Sequence, residues 1–87
     1  MKITSNGEEI TRRFFEAIDL LIERKYIRGV KTFSTKYNIN YWNFKTLKKE
    51  PAKRILKPEY IKYIVEDFGV SSNWIITGKG EIFNENT

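Results

Sequence analysis

Gly29 to Lys49 reads GVKTFSTKYNINYWNFKTLKK, and its spacing decides the fold. Two helices joined by a tight turn need apolar residues on both inner faces, a small residue where they cross, and a residue tolerant of positive φ between them. Phe33 and Tyr37 stand at i, i+4 on the first helix with the small Ser34 between them, and Phe44 and Leu47 stand at i, i+3 on the second. Ile39 fills the corner. Asn38 takes the place where glycine is commonest, and asparagine is one of the few other residues that enter the left-handed region readily. Asn40 then caps the second helix, its side-chain oxygen accepting from a first-turn N–H. These are the parts of a helix-turn-helix. The same stripe also suits a plain helical hairpin, so its surroundings carry weight.

Charge is the second line of argument. Between Arg24 and Lys57 lie eleven Lys and Arg and one acid, Glu50, a net +10; the remaining residues hold five basic and ten acidic side chains, a net −5. The overall +5 therefore conceals a divided chain, with positive charge gathered on the hairpin and its flanks. Separated signs of this kind suit a polyanion better than a merely solvated surface, on which the signs would be interspersed. A membrane surface is the other use of a basic patch, but the apolar residues of the second hairpin helix are needed for core packing.

A chain of 87 residues, 40% of them apolar, supports one small core. The expectation is a single domain over 1–87, with its core at about 8–83 and a polar tail at 84–87. No run approaches the ~20 apolar residues that span a bilayer, and the N-terminal segment lacks the apolar stretch of a signal peptide. Absence of cysteine removes disulfides and thiolate metal sites and fits a reducing compartment. A cytoplasmic location is the default expectation.

Five helices and no clear strand pair are expected. Ser5 or Asn6 is placed as the first cap, with Glu8 or Glu9 as capping-box partner. Ile10, Phe14, Ala17, Ile18, Leu21 and Ile22 form the buried stripe of an amphipathic helix ending near Tyr26. The second hairpin helix runs from 41 to 50 and stops at Glu50-Pro51. Pro58 sits in the first turn of a fourth helix, whose buried side is Tyr60, Ile61, Ile64, Val65 and Phe68 and whose cap is Gly69. Ser71 or Ser72 opens a short fifth helix, closed by Gly78. Trp74, Ile75 and Ile76 read as core closure. The segment from Glu81 to Thr87 reads as a polar, frayed tail.

The helix order, the helix-turn-helix in second and third place, and the ending FGVSSNWIITGKGEIF (Phe68 to Phe83) resemble the lambda-repressor-like, Cro/repressor-type DNA-binding domains of bacteria and phages. Many members close with a similar V-x-x-x-W-L-L-T-G-x-G-E-M segment. The resemblance runs from about Glu8 to Phe83. Ser34 stands where most members have alanine and Asn38 where they have glycine. Tyr41-Trp42 replaces the small polar residues usual at the front of the second motif helix, and Pro51 follows it unusually closely. Base preference transfers less readily than fold.

The resemblance implies an all-α, compact five-helix bundle and sequence-specific binding of double-stranded DNA by a repressor-like transcriptional regulator. The helix 41–50 would enter the major groove while its predecessor crosses the backbone. With Phe44 and Leu47 inward, Asn40, Tyr41, Trp42, Lys45, Thr46 and Lys49 face outward and match the family's DNA-facing positions. Lys45 suits guanine O6 or N7, Thr46 a base edge or thymine methyl, and Asn40 a phosphate or base; Tyr41 and Trp42 suit thymine methyls or sugars, unless Trp42 is partly core. Lys31, Lys36, Lys48, Lys53 and Arg54 are assigned to phosphates, which position a protein without reading sequence. A homodimer is implied because one motif helix covers only a short half-site.

Without His or Cys, the usual general bases, thiol nucleophiles and zinc constellations are missing, so no enzyme, no cofactor, no metal and no small-molecule substrate is expected. Gly78-Lys79-Gly80 lacks the spacing of a phosphate loop and reads as a helix cap and turn. Two other functions remain open on the residues alone. One is a protein-interaction module of the same fold using Tyr41 and Trp42 as an apolar patch. The other is a single-stranded nucleic-acid binder, since basic and aromatic residues interleave.

Overall fold

Thr4 starts the first helix. In the computed structural model, which describes residues 4–84, Thr4 is extended and its Oγ1 accepts from the Gly7 N–H at 3.1 Å, capping α1 (Ser5–Glu23). The expected caps, Ser5 and Asn6, are already helical. With the cap moved back one residue, Gly7 occupies the third helical position and no capping box forms. Glu8 pairs instead with Arg12, whose Nε lies 2.7 Å from its carboxylate.

The expected stripe is present, with Phe14, Ala17, Ile18 and Leu21 buried and Ile10 and Ile22 packed at its margins. Phe15 is also buried, a position the stripe omitted. The helix ends at Glu23 rather than near Tyr26. Lys25 turns left-handed at φ 66°, and the N–H groups of Lys25 and Tyr26 bond back to the carbonyls of Ile22 and Leu21 at 3.0 and 2.9 Å. This is the paired-bond helix terminator usually built on glycine. It turns Ile27 into the core while Tyr26 remains exposed.

α2 (Val30–Lys36) and α3 (Tyr41–Lys49) follow, joined by four residues. Asn38 is left-handed at φ 56°, and Ile39 N–H bonds to Ser34 O at 2.8 Å, closing α2 in the same manner as α1. Asn40 Oδ1 accepts from the Asn43 N–H at 3.0 Å, so α3 begins on the expected cap. Phe33 and Ser34 are buried from α2, and Phe44 and Leu47 from α3. Glu50 and a buried Pro51 end α3 at Lys49, one residue short of the expected limit.

α4 (Pro58–Phe68) starts on its proline and stops on Gly69 at φ 72°. Only Ile64 of its expected stripe is fully buried; Tyr60, Ile61, Val65 and Phe68 pack against the core from the side. α5 (Ser72–Thr77) is capped by Ser71 and closed by Gly78 at φ 77°. Trp74 and Ile75 close the core, but Ile76 is 52% exposed and does not. Arg13 of α1 donates to the carbonyls of Ile75 and Ile76 at 2.7 and 3.0 Å, supplying the donors that the last turn of α5 lacks.

The described residues are all-α apart from one isolated antiparallel bridge between Val70 and Phe83. That bridge corrects the expected frayed tail over its first four residues. Ser71 N–H bonds to Ile82 O at 2.7 Å, Asn84 N–H bonds to Gly69 O at 2.8 Å, and the Arg24 guanidinium lies 4.3 Å over the Phe83 ring. Apolar Ile82 and Phe83 find partners, so the chain does not fray there; residues 85–87 lie outside the described residues. Phe14 is the hub of the core. Its ring meets Phe15, Phe33 and Phe44 edge-on at 5.0, 6.2 and 6.1 Å, while Phe33 and Phe44 stack at 5.4 Å, and together these rings join α1, α2 and α3.

Candidate nucleic-acid interface

The inner side of α3 is fixed by Phe44 and Leu47, and the outer side follows from it by helical geometry. Asn40, Trp42, Lys45 and Lys49 are exposed; Tyr41 and Thr46 are half-buried. Trp42 is 68% exposed and contributes nothing to the core. Thr46 is tied down, its hydroxyl donating to Trp42 O at 2.8 Å. Asn40 has its oxygen committed to the cap, which leaves its NH₂ group outside that bond on an exposed residue.

At the front of α3 the side chains form a cluster. The Tyr41 and Trp42 rings meet edge-on at 5.2 Å. Lys45 Nζ lies 5.5 Å from the Trp42 ring centre and 5.9 Å from that of Tyr41, and Lys31 reaches across from α2 to 5.8 Å from Tyr41. Ammonium groups within ~6 Å of an aromatic face are attracted to it. The α2–α3 hairpin thus presents aromatic surface bordered by cations, with no acid on either helix.

The remaining basic residues divide. Lys36 is exposed at the end of α2, 5.6 Å from the Tyr37 ring. Lys53 and Arg54 follow α3 and sit 4.0 and 3.9 Å from the Glu50 carboxylate, loose exposed pairs of the kind that contribute little. Lys48 stands apart, because its ammonium pairs with Asp19 of α1 at 2.9 Å. That cation has a close partner, whereas Lys53 and Arg54 are held only loosely. No family model, curated protein or solved structure matches this chain.

Beside the hairpin lies a cleft of about 400 Å³ walled by the 37–40 turn, α3, the segment around Arg54 and the face of α4. Asn38, Asn43, Lys57 and Tyr60 line it, none of them among the DNA-contacting positions expected from the sequence. Asn43 had a usable signal: it follows Asn40 by three residues and so lies on the same first turn of α3. Lys57 and Tyr60 are brought there only by tertiary packing. Burial raises the Tyr60 phenol above its ordinary pKa, with Glu59 adding to the effect, so it stays a neutral donor.

Across the cleft Tyr37 joins α2 to α4. Its ring stacks on Tyr63 at 4.2 Å and its hydroxyl donates to Asp67. Burial first, and then the Asp67 hydrogen bond, hold its phenol well above the usual range. Among the described residues no helix is long and apolar enough to cross a membrane, and no group of three or more His, Cys, Asp or Glu is arranged to hold a metal ion.

Proposed function

We propose that this protein is a lambda-repressor-like domain in which α2, the 37–40 turn and α3 form the helix-turn-helix, and that it binds duplex DNA sequence-specifically as a transcriptional regulator. One observation carries the reading. The hairpin buries Phe33, Phe44 and Leu47 while α3 keeps Trp42, Lys45 and Lys49 exposed on a face free of acids. A capped helix with a rigid inner side and a basic outer side has the dimensions and charge to enter a major groove.

In this reading Asn40, Tyr41, Trp42, Lys45, Thr46 and Lys49 meet base edges, and Lys31, Lys36, Lys53 and Arg54 meet phosphates. Lys48 joins the phosphate set only by leaving Asp19. Asn43, Lys57 and Tyr60 add donors on the cleft side. A homodimer on a palindromic site completes the scheme, since one α3 covers a short half-site. No catalytic step and no cofactor enter it.

Mobility-shift titration of the full chain at low salt against a duplex it selects from a random pool tests this, with K45A and T46A as probes and K62A as control. Lys62 lies on α4, paired with Glu66 at 2.9 Å. Weaker binding by K45A and T46A with an unchanged K62A is expected. Absence of duplex binding at low salt contradicts the proposal. A protein-binding role for the same aromatics is separated by the same assay, because it leaves Trp42 exposed and DNA unbound.

A further inference from the structure

Trp42 is the largest of the few apolar side chains that the described residues leave mostly exposed. Its surroundings are ordered toward one use. Tyr41 fixes one edge of the indole at 5.2 Å and Lys45 borders it at 5.5 Å. The Thr46 hydroxyl is already engaged by the Trp42 carbonyl. What this position offers a partner is therefore an exposed aromatic surface bordered by positive charge.

The major groove has few counterparts for such a surface. Guanine, adenine and cytosine present acceptors and donors there, whereas thymine alone presents a methyl group. A paired base inside a duplex has no free face on which an indole can stack. The 5-methyl group is the apolar feature within reach, and the flanking phosphates match the bordering lysines. Sugars lie along the backbone, which the exposed cations of α2 and of the segment after α3 suit better than a neutral ring.

Resting on the duplex reading above, we infer that Trp42 is a pyrimidine-methyl reader: the preferred site places the 5-methyl group of thymine, or of 5-methylcytosine, against its ring. Cytosine methylation at that position then strengthens binding, and loss of the thymine methyl weakens it. The aromatic front of α3 becomes a selectivity element, with Lys45 set beside it for the neighbouring base or phosphate.

The test starts from duplexes selected by the full chain from a random pool. The selected duplex is synthesised with each thymine in turn replaced by deoxyuridine, and with 5-methylcytosine replacing cytosine at that position in a matched duplex. Anisotropy titrations then compare affinities. At one thymine per half-site, removal of the methyl should weaken binding about fourfold, the ~0.8 kcal/mol of one buried carbon. W42A should bind the dT and dU duplexes equally, with its helical circular dichroism unchanged because the ring is outside the core. Strong duplex binding by the wild-type chain with no deoxyuridine effect at any position overturns this inference alone. A deoxyuridine effect that persists in W42A also overturns it, since another residue then reads the methyl. Binding of no duplex at all, or preference for single strands over duplex, overturns the duplex reading and this inference with it.

Discussion

Tyr37→Phe removes one oxygen and leaves a ring still able to stack on Tyr63, which makes it a clean probe of the contact between α2 and α4. The lost hydroxyl donates to the Asp67 carboxylate. A hydrogen bond to a charged group contributes ~1.5–3 kcal/mol when shielded. Asp67 is exposed, and exposed charged pairs fall to about 1 kcal/mol or less, so ~1 kcal/mol is expected here. In a domain of this size that lowers Tm by roughly 4–8 °C. The assay is thermal unfolding followed by circular dichroism at pH 7 for Y37F, D67A and the double variant. The double variant should be no less stable than the weaker single, because both changes break the same bond.

Alkaline pH sharpens the same test. Burial and Asp67 hold the folded phenol above its ordinary range, while the unfolded phenol ionises near ~10. Below that pH both states keep the proton and the advantage over Y37F is complete. As pH rises further the unfolded chain loses a proton that the folded chain keeps, so stability falls. The gap between wild type and Y37F should close and then reverse above about pH 10, where only the wild type has this phenol to ionise. Equal Tm values at pH 7, or single effects that add in the double variant, would refute the reasoning.

Three further outcomes follow from local geometry. Lys25→Gly relieves a left-handed lysine at φ 66° and should stabilise the fold by up to ~1 kcal/mol, read as a raised urea midpoint with unchanged slope. Asn40→Ala removes the α3 cap and should cost ~1 kcal/mol, whereas N40D keeps the acceptor and should melt near wild type. Arg13→Ala withdraws both donors from the end of α5 and should shift Trp74 emission to the red in the W42F background, where Trp74 is the sole tryptophan.

What proved legible from the residues was chiefly what is local. Asn38 and Gly69 turn left-handed and Asn40 caps α3 because each answers a demand set by its immediate neighbours. Phe33, Phe44 and Leu47 were found by helical spacing for the same reason. Phe15 and Ile27 were not, because the first stands at the edge of the stripe beside Ile22 and the second is carried inward by a turn that Lys25 makes without glycine. The placement of Ile82 and Phe83 depends on a strand-like contact with residues 69–71, more than ten positions back in the chain. The same division holds at the interface. The outward positions of α3 follow from its wheel, whereas the Lys48–Asp19 pair and the approach of Lys31 to Tyr41 depend on how α1 and α2 pack against it.

The central claim is that the face bearing Lys45 and Lys49 engages duplex DNA, and salt dependence measures it most directly. Anisotropy of a labelled mixed-sequence duplex, titrated with the full chain at several salt concentrations, gives the slope of log affinity against log salt. Four phosphate contacts from each copy predict a slope of roughly −3.6 for one bound copy and −7 for a dimer, with the magnitude reduced by about 1 per bound copy in K36A and K53A but not in K62A. A slope near zero, or duplex binding that K45A and K49A leave unchanged, would contradict the account.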